Sequence, residues 1–190
     1  VGWVGRLDPV KDPDTFLRAA ARVAHQLPEI EFIMAAAPAN LNHDQIRRRV
    51  KALGLENRLT LLPRGSDIET HMAAMDLGVI TSTGSEVISR VLLEFLALGK
   101  PVLGTPVNAI GEIIEPGVNG ELFPPGDDRA LARLMTAWAQ DPGQRIAYAA
   151  GARQTYAHLY GEDPMYRQYR EVLAAAAGCS PDAPPAARPR

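Results

Sequence analysis

The strongest constraint on the fold is an alternation. From Val1 to about Gly104, short apolar runs trade places with helical patterns, and most runs exit into small or turn-forming residues. Val1 to Leu7 (VGWVGRL) is strand-like, and Pro13 to Leu27 carries Phe16, Leu17, Ala20, Val23, Ala24 and Leu27 at helical spacing before Pro28. Ile30 to Ala36 predicts a second strand, Asp44 to Leu53 a helix closed by Gly54, and Arg58 to Leu62 a third strand. A short helix near Ile68 to Met75, a strand at Leu77 to Thr81, a helix at about Val87 to Leu98 and a strand at Pro101 to Gly104 continue the rhythm. Six or so such units predict an α/β fold with a doubly wound parallel sheet. Asp127 and Asp128 can cap a helix over Arg129 to Gln140, and two further helices are expected at about Gly143 to Leu159 and Pro164 to Ala176.

A hydrophobic fraction of 46% over 190 residues suffices for one well-buried core, so residues 1–178 are expected to form one domain. Residues 179–190, ending SPDAPPAARPR, are too rich in Pro and Ala to pack and are expected to be a disordered tail. Twenty basic residues against twenty-two acidic ones give a net charge of −2, so no global field favours nucleic acid or an anionic membrane. Any anion must be bound locally. The single cysteine, Cys179, excludes an internal disulfide framework and fits a reducing compartment. There is no zinc-ligand spacing, and no apolar run approaches the roughly 20 residues of a membrane span. Val1 opens in mid-strand without an initiator methionine, as an excised piece of a longer chain would.

Open parallel sheets bind ligands at the carboxyl ends of their strands. The loops after Leu7, Leu62, Thr81 and Gly104 are therefore the places to look for chemistry. In the first, GRLDPVKD, Arg6 and Lys11 stand beside a helix N-terminus, where guanidinium, ammonium and helix dipole favour the same anion. Ordinary surface solubility is the competing account. No GxGxxG follows the first strand and no GxxxxGK[ST] occurs, which removes the main support for a dinucleotide dehydrogenase or a P-loop nucleotidase. The central segment, TSTGSEVISRVLLEFLALGKPVLGT, runs from a strand through small turn residues into an apolar helix, leaving backbone N–H groups free to meet a phosphate. Glu86 and Glu94 lie about 12 Å apart if both are helical. Glu86 could instead pair with Arg90 one turn on. Glu94 stands among Val91, Leu92, Leu93, Phe95 and Leu96, so its carboxylate must find a partner, for which Arg90 is the structural candidate.

The pair Glu86/Glu94 at E-x7-E spacing, the LALGKPVLGT strand after it, GRLDPVK upstream and GVNGELFPPGDDRALA downstream resemble the C-terminal donor-binding half of family 4 (group 1) retaining glycosyltransferases. Those enzymes have the two-Rossmann-domain GT-B architecture. The resemblance runs from about Val1 to Leu173 and implies a Rossmann-like sheet with extra C-terminal helices, the N-terminal acceptor domain being absent from this chain. It implies that Arg6 and Lys11 grip the diphosphate of a nucleotide sugar, that Glu94 holds the ribose hydroxyls, and that Glu86 contacts the transferred sugar as the catalytic residue. Backbone groups at about Ile88, Ser89 and Arg90 would meet the phosphates, and Arg64 lies where the family places the base pocket. The donor would be the nucleotide-diphosphate sugar, with no cofactor or metal required and no nucleic acid as partner. A glycan or lipid acceptor would enter through the missing domain. Cytoplasmic placement is expected, with peripheral membrane association open to the full-length protein.

Three departures from the family pattern stand out. Asn108-Ala109 replaces the usual Gly-Gly ahead of Glu112, Val87-Ile88-Ser89 replaces Gly-Phe-Gly, and Asp12 follows Lys11 where a glycine is common. Retention of anomeric configuration is implied, with Glu86 orienting the sugar or stabilising positive charge rather than attacking it. The isolated chain is expected to bind donor but scarcely turn it over. Tyr156, Tyr160, Tyr166 and Tyr169 resemble part of the family's C-terminal helix, which packs toward the missing domain; the bland alternative is that they cover the sheet. A catalytically inactive regulatory or assembly domain, and a GT-B-type epimerase or phosphorylase, are the other functions this pattern allows.

Overall fold

The computed structural model describes residues 1–63, 65, 67–84 and 89–178. Six strands form one parallel sheet: β1 (Gly2–Arg6), β2 (Phe32–Ala37), β3 (Leu59–Pro63), β4 (Gly78–Ile80), β5 (Val102–Gly104) and β6 (Gly120–Leu122), in the order β3-β2-β1-β4-β5-β6. The chain winds outward first one way and then the other, so the order reverses between β1 and β4. That junction is where a doubly wound sheet opens a crevice.

The helices start where the sequence supplies caps. In α1 (Pro13–Gln26), Asp12 accepts from the Thr15 N–H and Pro13 occupies the first turn. In α2 (His43–Ala52), Asn42 and Gln45 form a reciprocal capping box. Asp127 caps α6 (Asp128–Gln140) and Asp141 caps α7 (Pro142–Thr155). The remaining helices are α3 (Ile68–Ala73), α4 (Arg90–Ala97), α5 (Ala109–Ile113) and α8 (Glu162–Ala177). Alternation along β1 sends Trp3 into one core, with Phe16, Phe32, Leu131 and Trp138, and Val4 into the other, with Met72, Phe95, Leu96 and Ile110. Both faces of the sheet are covered, which is why the buried part of its central strands is apolar.

Several expected boundaries shift. The helix predicted from Val87 has its described start at Arg90, because Ser89 sits at φ −91°, ψ 87° outside the helical region. The 12 Å separation of Glu86 and Glu94 assumed both residues to be helical, and Glu86 lies outside the described residues. The helix expected to reach Leu159 leaves α geometry after Thr155 and continues as a π-helical turn, Tyr156–Tyr160, before α8 begins. Of its tyrosines, Tyr156 and Tyr160 pack against the α4 side of the core, whereas Tyr166 and Tyr169 are exposed. The predicted tail, residues 179–190, lies outside the described residues.

Strand β6 was not expected, since three residues beginning with a glycine carry no pattern. Tertiary contact places it. A Cβ on Gly120 would stand 1.9 Å from the Val102 carbonyl oxygen, so only glycine lets this edge strand lie against β5. Next to it, the fully buried Asn119 accepts from the Glu115 N–H and donates to the Ile113 carbonyl and the Thr155 hydroxyl, tying the α5–β6 loop to the end of α7. Tyr148 of α7 donates to Glu121 of β6 at 2.6 Å. Burial and that carboxylate push its pKa up to about 12, so it remains a donor at any ordinary pH. Where α7 crosses this loop, a Cβ on Gly151 would meet the Val118 carbonyl oxygen at 2.0 Å. Gly151→Ala is expected to lower unfolding free energy by about 3 kcal/mol, the scale of forced overpacking, as measured by urea denaturation.

Candidate donor-binding site

The ladder between β1 and β4 is short. Only Gly2 with Gly78 and Trp3 with Val79 pair, whereas β1 pairs with β2 along all of Gly2 to Arg6. Beyond Trp3 the two exits are joined by side chains. The Trp3 indole N–H donates to the Thr81 hydroxyl at 3.0 Å, and that hydroxyl donates to the Lys11 carbonyl at 2.6 Å. The direction is forced, because indole only donates and a carbonyl only accepts. Trp3 and Thr81 are both buried, so each half of this bridge satisfies a group that water cannot reach. The Thr83 N–H adds a bond to the Val10 carbonyl at 2.8 Å, and the Thr105 hydroxyl donates to the Ser82 carbonyl at 2.6 Å. Three of the four loops singled out from sequence are thus stitched into one rim at the carboxyl edge.

The first loop presents its cations through a buried acid. Asp8 is 6% exposed; its Oδ1 accepts from the Lys11 N–H at 3.0 Å and its Oδ2 pairs with the Arg6 guanidinium at 2.9 Å. That carboxylate caps the 3-10 turn Pro9–Lys11 and steadies Arg6, whose side chain is 65% exposed. One aspartate, Asp8, thus holds the Arg6 guanidinium and the Lys11 backbone. Its signal was available: an acid three residues before the lysine, ahead of a proline, is the pattern of a capped turn. Asp12, in place of the common glycine, sits at φ 41° in the left-handed region and repays the strain by capping α1. Asn108, in place of the first glycine of the usual pair, is at φ 46°, ψ −130°, a conformation that glycine adopts freely and other residues rarely do.

The second part of the site is α4. Among the described residues no side chain caps its N-terminus, which stands at the end of the β4 loop. Arg90, Leu93 and Glu94 line a cavity of about 460 Å³ with Glu69 and Met72 of α3 and with Tyr156 and Tyr160. The pairing of Glu94 with Arg90 expected from one-turn spacing is not made: Arg90 is exposed, no ion pair joins the two, and Glu94 Oε2 is buried without a hydrogen-bond partner. On the wall of this cavity, burial and then the Glu112 charge raise the pKa of Tyr160. Of the remaining expected residues, Ser89 is buried at the head of α4, and Arg64, Glu86 and Ile88 lie outside the described residues. Among the described residues, no cluster of three or more His, Cys, Asp or Glu side chains could hold a metal ion.

A family model for glycosyl transferases group 1 matches residues 1–141. The chain belongs to this family. Among curated relatives of this glycosyltransferase domain, the D-inositol 3-phosphate glycosyltransferase of Mycobacterium tuberculosis strain H37Ra is 35% identical over 184 residues, covering 91% of this chain and 37% of that protein. That of Mycolicibacterium paratuberculosis is 31% identical over 182 residues, covering 91% of this chain and 40% of its own length. The chain thus spans about two fifths of the relatives it matches. Anabaena HepE, crystallised with UDP, superposes with a TM-score of 0.83 at 29% identity over 92% of this chain and 48% of HepE. The C-terminal domain of a Francisella tularensis group 1 glycosyltransferase (LpcC) shares the fold, with a TM-score of 0.76 at 22% identity, over 85% of this chain and 86% of that domain. The sheet and its flanking helices are those of one half of a GT-B glycosyltransferase.

The Thr81 bridge makes the glycosyltransferase rim testable. Thr81→Val removes one hydroxyl, which leaves the buried Trp3 N–H without its acceptor and takes the Thr81 donor from the Lys11 carbonyl. Thermal or urea unfolding is expected to register a loss of about 2 kcal/mol, and Thr81→Ser is expected to recover most of it.

Proposed function

We propose that this domain is the donor half of a retaining glycosyltransferase, which moves a sugar from a nucleotide-diphosphate sugar to a glycan or lipid acceptor held by an N-terminal half. The observation that carries this is Glu94. A carboxylate oxygen buried without a partner costs about 1–3 kcal/mol or more, and a pair of ribose hydroxyls supplies the donors it lacks. Arg6 and Lys11 at the first loop, with the uncapped N-terminus of α4, would take the diphosphate. These groups would stabilise the charge that develops on the leaving nucleoside diphosphate, so that no metal is required. The UDP and UDP-glucose bound by Anabaena HepE support a nucleotide sugar as the donor class.

Glu86 is proposed as the residue that meets the transferred sugar, orienting it or stabilising an oxocarbenium-like centre; Arg64 is proposed at the base, with Ile88 to Arg90 at the phosphates. An N-terminal half would dock on α8. Along α8, Met165, Tyr166, Tyr169, Val172 and Leu173 form one exposed apolar stripe at helical spacing. A cytoplasmic enzyme, attached peripherally to a membrane when its acceptor is a lipid, is consistent with this architecture. No helix among the described residues is long and apolar enough to cross one.

Titration calorimetry on this chain is expected to detect binding of uridine or guanosine diphosphate, weakened about tenfold or more by Arg6→Ala/Lys11→Ala and by Glu94→Ala. Absence of binding, or equal binding by the double variant, refutes the donor site. In the full-length protein supplied with acceptor, Glu86→Ala is expected to abolish release of nucleoside diphosphate. An unchanged rate returns Glu86 to a structural role, and binding without any acceptor-dependent release in the parent protein identifies a regulatory domain instead.

A further inference from the structure

The outer groove between α1 and α6 carries a concentration of charge that the donor site does not use. Arg18 and Arg22 stand one turn apart on α1, and Arg129 and Arg133 one turn apart on α6. The two helices pack side by side, so Arg22, Arg129 and Arg133 line one groove of about 350 Å³, with Arg18 at its head. Its walls also carry Gln26, Thr136 and Gln140, and its small side chains, Ala132 and Ala137, leave the space open.

One carboxylate serves this cluster. Asp128 accepts from Arg18 Nε at 3.2 Å and from Arg22 Nε at 2.5 Å. Burial pushes its pKa up, but the hydrogen bonds from Arg22 and Arg18 outweigh that and hold it below the ordinary value, so it stays ionised. By occupying the two Nε positions, Asp128 fixes both guanidinium groups while leaving the terminal nitrogens of Arg22 uncommitted. Asp127, the next acid, is engaged at the N–H groups of Arg129 and Ala130. Among the described residues, the side chains of Arg129 and Arg133 have no hydrogen-bond or ion-pair partner.

Asp128 serves Arg18 and Arg22, whereas Arg129 and Arg133 add two further positive charges beside Arg22 with no carboxylate paired to them, and like charges in one groove repel. Packing does not require them. The core contacts of these helices are made by Phe16, Leu17, Val23, Leu131, Met135 and Trp138, while the arginines lie on the exposed side. Planar forks of N–H donors suit phosphate oxygens. No aromatic side chain lines the groove to stack a nucleobase, so a compact anion fits it better than a single-stranded nucleic acid. Arg22 also stands nine residues into α1, about 14 Å from its first residue along the axis, which removes the groove from the carboxyl edge of the sheet.

We propose that the α1–α6 groove is a second anion site, taking a compact polyanion with clustered phosphate groups, whether a soluble polyphosphorylated molecule or the head groups of an anionic lipid. The site is separate from the donor rim, so it can be filled while a nucleotide is bound.

The test uses the whole chain saturated with UDP and two probes: inorganic tripolyphosphate followed by calorimetry, and flotation with vesicles of phosphatidylglycerol in phosphatidylcholine. Saturable binding is expected for at least one probe. It should weaken about tenfold in Arg129→Gln/Arg133→Gln and persist in Arg6→Ala/Lys11→Ala. Dependence on the groove with tripolyphosphate identifies the soluble source, and dependence with vesicles alone identifies the head group. Binding of neither probe, binding indifferent to the glutamine pair, or equal binding of sulfate at matched ionic strength overturns the proposal. Loss of UDP binding in the donor-rim variant bears on the donor site alone, so the two failures remain distinguishable.

Discussion

The hydroxyl of Thr81 carries the junction on which the site depends. Where the β1–β4 ladder stops, a gap opens between the two loops that the backbone crosses farther out, from the Thr83 N–H to the Val10 carbonyl, and a divided rim could not present groups from both to one ligand. A single hydroxyl that accepts from Trp3 and donates to Lys11 closes that gap from inside the core. Trp3 in turn belongs to the hydrophobic cluster under α1 and α6. The position of a cation-bearing loop is thereby tied to the packing of the domain, and low dielectric around the bridge makes it expensive to break.

Around this junction the charges are arranged in order of burial. Asp8 is buried and engaged twice, Arg6 is exposed but held by it, and α4 offers an uncapped N-terminus. Glu94 completes the arrangement by being incomplete, with one oxygen shielded from water and unpaired. A folded domain tolerates such a cost where a ligand removes it.

The departures from the family pattern acquire a physical meaning at this edge. Asp12 and Asn108 are the two non-glycine residues with positive φ among the described residues, and both stand where family members commonly carry glycine. A left-handed backbone conformation costs a non-glycine residue energy. Asp12 recovers part of the cost as a helix cap. Asn108 makes no capping hydrogen bond and leaves an amide exposed in the loop beyond β5.

The sequence by itself determined the α/β class, the parallel winding, most helix positions and the loops that form the rim, because periodicity and caps are local properties. Motif spacing also identified the family. Local pattern could not reveal β6, whose three residues form a strand only because Gly120 fits against Val102. Nor could it reveal that Arg90, one turn from Glu94, turns to solvent and leaves the carboxylate unpaired. The Thr81 bridge spans 70 residues to Lys11 and 78 to Trp3, and the arginine groove joins α1 to α6 across more than a hundred. Such pairings are decided by which helices and loops the sheet brings side by side. That is a property of the tertiary structure, since the chain's own spacing holds no record of it.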